Sequence, residues 1–108
     1  MIEIREYLEE QGRSPFGSWF ERLGSPASEK VAVALYRLAN GNLSNVKSVG
    51  SGVLELRINF GPGYRIYFGR DGDKLVILLG GGNKQRQDRD IRQAIDCWAD
   101  YRKRKKVK

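Results

Sequence analysis

Histidine is absent from the 108-residue chain, and cysteine occurs once, as Cys97. The first absence removes the usual zinc sites, the Ser-His and Cys-His nucleophile pairs and the commonest general base. The second excludes an internal disulfide and any thiolate metal cluster. Long apolar runs are missing as well: nothing approaches the roughly 18 uninterrupted apolar residues of a membrane helix. The opening stretch, "MIEIREYLEE", carries acids where a secretory leader has a basic start and an apolar run. A cytoplasmic protein without membrane contact is expected. Its chemistry must run on Arg, Lys, Tyr, Asp or Glu.

Cationic and apolar residues are present in quantity. The hydrophobic fraction of 40% suits one domain with one modest core. Net charge is +7, and six of the basic charges lie in "RKRKKVK", Arg102 to Lys108; removing six from +7 leaves the body at +1. Residues 1–101 read as the domain and 102–108 as a disordered basic tail. Such a tail is either a solubilising appendage or a contact for a polyanion.

Ile2 and Ile4 alternate in a short first strand. Ser14 and Pro15 open a helix with Phe16, Trp19, Phe20 and Leu23 on one face, and Gly24 ends it. Ser25 and Pro26 repeat the device before Val31, Ala34, Leu35 and Leu38, and "NGN" at 40–42 stops the second helix. The pair reads as an αα-hairpin. "LSNVKSVGSG" reads as a polar connector. The period then becomes two, with Leu54, Leu56, Ile58 and Phe60 on one face and Glu55, Arg57 and Asn59 on the other. "GPG" turns the chain into Tyr64–Phe68, and "RDGD" turns it again into "KLVILL", a central strand covered on both faces. "GGG" ends that strand. Ile91, Ala94, Ile95, Trp98 and Tyr101 or Arg102 form the stripe of a last helix. The order β-α-α-β-β-β-α gives a single α+β domain, with a twisted, mainly antiparallel sheet packed on helices.

A three-residue GPG loop would place Phe60 opposite Tyr64, Asn59 opposite Arg65, Arg57 opposite Tyr67 and Glu55 opposite Gly69. Arg57 and Arg65 are then diagonal neighbours on a polar face, so truncating Arg65 should leave the core packed. That face is either an exposed arginine–glutamate lattice or an anion site, since arginine forks match phosphate and Tyr67 adds a ring and a hydroxyl. Gly80, Gly81 and Gly82 precede Lys84 and Arg86. They either make a plain strand-to-helix turn or let another chain approach the backbone closely.

"LELRINFGPGYRIYF", "LVILLGGGNKQRQDRDI" and "AIDCWADY" together resemble the RelE/HigB toxins of type II toxin–antitoxin systems, and most of all the HigB-like addiction module killer branch. The likeness spans nearly the whole chain. It implies a RelE-like, microbial-RNase-like domain that cuts mRNA in the ribosomal A site. It also implies a cognate antitoxin, usually a helix-turn-helix protein from the adjacent gene. Arg65 matches the arginine that contacts the scissile phosphate, Arg57 a basic position on the preceding strand, and Lys84 and Arg86 the basic cluster after the last strand. Lys47, Asn59, Asn83, Arg102, Lys103, Arg104, Lys105 and Lys106 complete the set expected to touch RNA. Some members use a histidine on the strand of Glu55, or a tyrosine near the start of the last helix; here the latter stretch reads "QDRDI".

Attack of a 2′-oxygen on phosphorus needs charge stabilisation and two proton transfers. Arg65, Arg57 and Arg86 are candidates for the charge, which is often the largest effect. Glu55 as base, and Tyr67 or Lys84 in either role, are candidates for the proton transfers. No metal and no cofactor are required: Asp71/Asp73 and Asp88/Asp90 read as turn and helix-start carboxylates. Two other readings stay open: a ParE-like toxin that binds DNA gyrase without catalysis, and a non-catalytic RNA-binding domain with Tyr67 stacked on a base.

Overall fold

Ten buried side chains from the strands and three amphipathic helical stripes sort into two cores, one on each face of a single sheet. A computed structural model describes residues 1–107; Lys108 of the basic tail lies outside the described residues. The elements are β1 (Glu3–Glu6), α1 (Pro15–Glu21), α2 (Ala27–Ala39), β2 (Val46–Gly50), β3 (Val53–Ile58), β4 (Tyr64–Arg70), β5 (Leu75–Asn83), a 3-10 turn (Lys84–Arg86) and α3 (Gln87–Val107). The sheet order is β1-β5-β4-β3-β2. Only β1 and β5 run parallel; the other pairs are antiparallel. The fold is the expected α+β domain, consistent with a RelE-like fold.

One core joins Phe16 of α1 and Val31 and Leu38 of α2 to Leu56, Ile58, Ile66, Phe68, Val76 and Leu78. The other joins Ala94, Cys97 and Trp98 of α3 to Val53, Tyr67, Ile77, Leu79 and Tyr7. β5 supplies both, so its unbroken apolar run follows from burial on two faces. Each fully buried side chain of this size contributes about 1.5–3 kcal/mol.

Four expectations need correction. The stretch read as a polar connector contains β2, an edge strand in which Lys47 and Ser48 are both exposed and need not be apolar. Ser25 does not cap α2: the N-cap is Pro26 with no side-chain bond, and the Ser25 hydroxyl donates to Glu29 at 2.8 Å. Ser14 does cap α1, accepting from the Gly17 N–H at 2.9 Å. The triple glycine lies inside β5 rather than ending it. Arg102 to Lys106 do not form a disordered tail; they continue α3. Tyr101 and Lys105 both bond Asp71, and Arg104 bonds Asp100 and the Leu8 carbonyl, tying this last part of the helix to the body.

The glycines in β5 have a steric reason. A Cβ on Gly81 would collide with the Trp19 ring, and one on Gly82 with the Asp90 carboxylate, whereas Gly80 faces open space. A bulge opposite Tyr67 and Phe68 leaves Leu79 without a partner on β4, which re-aims this end of the strand.

Candidate active site

β3 and β4 bring two arginines face to face. Asn59 to Gly63 form a five-residue loop, because Gly61 and Gly63 both take left-handed φ values, 56° and 82°. Backbone bonds of 3.0 Å from Phe60 N–H to the Ile58 carbonyl, and from Gly63 N–H to the Phe60 carbonyl, close within it. The expected register is therefore wrong by two residues. Arg57 faces Arg65, Glu55 faces Tyr67, and Ile58 faces Tyr64. A shift of two keeps every side chain on its predicted face. It also turns a diagonal arginine pair into a direct one, about 4.5–5.5 Å apart at Cα.

Arg57, Arg65 and Lys84 line one cleft of about 370 Å³, with Asn59 and the Gly61–Gly63 backbone. Arg57 and Lys84 are exposed, whereas Arg65 is only 7% exposed. The Arg65 guanidinium is held from two sides. Its Nη1 donates to the Gly63 carbonyl at 3.3 Å, and its Nε lies 3.4 Å from Glu55 Oε1. Three cations gathered at one opening attract an anion, and a fork held on two sides loses little entropy on binding it.

The polar face is not an exposed lattice. Glu55 and Tyr67 are completely buried beneath α3. Glu55 Oε1 accepts from Gln87 Nε2 at 2.8 Å, and Oε2 lies 3.7 Å from Lys47 Nζ. In this arrangement the Glu55 carboxylate does not reach the cleft, so the geometry does not favour it as a general base. Tyr67 offers no ring face for stacking. Desolvation, then the Glu55 charge, pushes its hydroxyl well above the ordinary tyrosine range, so it stays protonated. Among the candidate proton-transfer groups, only Lys84 stands at the opening.

The remaining candidates are dispersed. Arg86 lines a second cleft, of about 410 Å³, floored by Gly80–Gly82 and rimmed by Arg13, Arg22 and Arg89. Asn83 caps the 3-10 turn, accepting from the Gln85 N–H at 3.0 Å. Arg104 and Lys105 are engaged with carboxylates, and Arg102 and Lys106 border a pocket beside Trp98 and Tyr101. Lys103 is exposed. Gln87, which holds Glu55, and the arginines at 13, 22 and 89 carry no mark in the sequence pattern. Gln87 opens α3 within the stretch "KQRQDRD", where it reads as one more polar residue; only the fold puts it over β3.

A family model described as Phage derived protein Gp49-like (DUF891) matches residues 18–98. That span contains β2 to β5, both clefts' basic residues except Arg13, and most of α3. An uncharacterized protein of Haemophilus influenzae (strain ATCC 51907 / DSM 11121 / KW20 / Rd) is 46% identical over 80 residues, which are 73% of this chain and 81% of that protein. The chain belongs to the phage-derived Gp49-like family, a family of RelE-toxin-like proteins.

Proposed function

We propose that the chain is a HigB-like toxin of a type II toxin–antitoxin pair, which cuts mRNA on the ribosome and is neutralised by a cognate antitoxin. The observation that carries this reading is the direct Arg57–Arg65 pair beside Lys84 in one cleft. Two arginines held side by side repel each other, and a phosphate between them relieves that repulsion. The negative charge of a phosphorane is larger than that of the ground-state diester, so the same pair favours the transition state over the substrate.

In the reaction, the 2′-oxygen attacks the adjacent phosphorus and the 5′-oxygen of the next nucleotide leaves. Arg65 and Arg57 stabilise the charge on the phosphoryl oxygens. The 2′-hydroxyl proton passes to solvent water, Lys84 gives a proton to the departing 5′-oxygen, a 2′,3′-cyclic phosphate is left behind, and the ribosome supplies in-line positioning. The supporting facts are the family, the α+β fold and the cation cluster. Expression of the chain alone should arrest growth and produce new mRNA 5′ ends by primer extension. An antitoxin from the adjacent reading frame should suppress both. Unimpaired growth at verified soluble expression removes the toxin reading.

A second reading, a ParE-like toxin that binds gyrase without catalysis, draws on one observation. α3 carries its basic residues to Lys106 as a continuous helix, a rigid surface suited to a macromolecular partner. Toxicity that survives loss of Arg57, with no mRNA cleavage by the wild type, favours that reading.

A further inference from the structure

The cluster under the start of α3 contains three buried polar atoms without a hydrogen-bond partner: Glu55 Oε2, Arg65 Nε and Tyr67 OH. A buried polar atom without a well-formed hydrogen bond is costly, and here Oε2 and Nε have only ion-pair contacts at 3.7 and 3.4 Å. Three in one place are expensive for a domain whose other core positions are apolar. A plain core would put hydrophobic residues at 55 and 65, an exchange that is often neutral or stabilising. The cost therefore asks for a function, and the geometry supplies one. Arg65 is the single member of the cluster that also lines the cleft, and Glu55 contacts it from the buried side.

We propose that Glu55 is a positioning residue that holds the Arg65 guanidinium in register with the cleft, and that Gln87 fixes the Glu55 carboxylate from α3. Glu55 contacts Arg65 through Nε, the nitrogen nearest the backbone, while Gly63 takes Nη1. This leaves Nη2 as the guanidinium nitrogen with neither a hydrogen bond nor an ion pair among the described residues. The 3.4 Å separation of Nε and Oε1 is long for a charge-assisted bond, which is ordinarily about 2.7–2.9 Å. Gln87 belongs to the first turn of α3. Its bond to Oε1 makes the arginine's placement depend on how that helix is seated. As far as turnover is concerned, the proposal rests on the nuclease reading; the contact itself does not.

The test uses the full 15N-labelled chain and follows the Arg65 Nε–Hε resonance, assigned by its disappearance in Arg65→Lys. In Glu55→Gln the resonance should shift, and its hydrogen exchange should accelerate by about tenfold, the equivalent of about 1.4 kcal/mol. Gln87→Ala, which keeps the buried charge and removes only its tether, should move the same resonance in the same direction and covers the case in which Glu55→Gln does not fold. In ribosome-dependent cleavage, both variants should lose up to about a hundredfold in kcat with KM near the wild-type value, as expected of a misplaced group. The shape of the pH–rate profile should be unchanged. An Arg65 resonance identical to wild type in both folded variants overturns the proposal. So does loss of the acidic limb of the profile in Glu55→Gln, which would make Glu55 the base. Wild-type protein that cuts no RNA overturns the nuclease reading alone, and the resonance still decides whether Glu55 holds Arg65.

Discussion

Arg57 and Arg65 stand directly opposite each other on β3 and β4, yet one is exposed and the other buried. β4 lies deeper in the sheet, under α3, while β3 is one strand from the edge. The two arginines consequently answer differently to substitution. Arg57→Ala should change unfolding free energy by about 0.5 kcal/mol or less, as surface changes do. Arg65→Ala strands the buried Glu55 charge and should cost more, up to about 3–5 kcal/mol, with Lys47 and Gln87 softening the loss. Urea titrations of the two variants check the difference. Equal stabilities would mean that Arg65 is not paired to Glu55 in solution.

The glycines of β5 should rank by what they face, independent of their position in the triplet. Gly81→Ala meets the Trp19 ring and should destabilise by about 1–3 kcal/mol. Gly82→Ala meets only the end of the Asp90 side chain, which can swing aside, and should cost less. Gly80→Ala faces open space and should be tolerated. Thermal melts of the three variants give the order.

Alkaline pH should weaken the fold through Cys97. Burial in the α3 core pushes its thiol from 9.0 up to about 11. The folded state thus holds the proton more tightly than the unfolded chain. Its contribution is complete below pH 9.0 and is lost as pH rises through about 11. Cys97→Ala should show a smaller fall in stability across that window than the wild type. Tyr7 and Tyr101, raised to about 12, add losses at higher pH in both proteins. A native thiol that reacts with Ellman's reagent at the rate of the urea-unfolded chain would contradict the burial.

The last part of α3 should contribute both packing and charge, so truncation at residue 102 is a poor probe of either. Lys105 and Arg104 hold Asp71, Asp100 and the Leu8 carbonyl. Lys103 and Lys106 are exposed, with no described ion pair. Neutralising these two with Gln should leave the melting temperature unchanged and flatten the salt dependence of RNA or ribosome binding. An unchanged salt slope would show that these charges are bystanders.

Much of this architecture is legible in the residues themselves. Period two marks β3 and β4, period 3.6 marks the helices, and the unbroken apolar run of β5 announces a strand buried on both faces. β2 escapes because an edge strand has one exposed face and needs few apolar residues; Val46 and Val49 are its only signal. The hairpin register escapes because "GPG" fits either a three- or a five-residue loop, and only the two left-handed glycines decide it. Local pattern also assigns Glu55, Arg65 and Tyr67 to a polar, solvent-facing side. It cannot show that α3, beginning at Gln87, folds back over them. Burial of charged residues is a tertiary fact with no periodic signature. The same reason hides the partnership of Glu55 with Gln87, 32 positions away.

Cleavage of a defined mRNA on programmed ribosomes, comparing wild type with Arg57→Ala, isolates the contribution of the arginine pair, because Arg57 lines the cleft without supporting the core. Wild type should cut in the A-site codon. Arg57→Ala, equally folded, should cut about 10²–10³-fold more slowly, the cost of removing one charge-stabilising donor. Arg57→Lys should recover part of the rate, since a point charge replaces a fork. A folded Arg57→Ala protein that cuts at the wild-type rate would contradict the arginine pair as the seat of the chemistry.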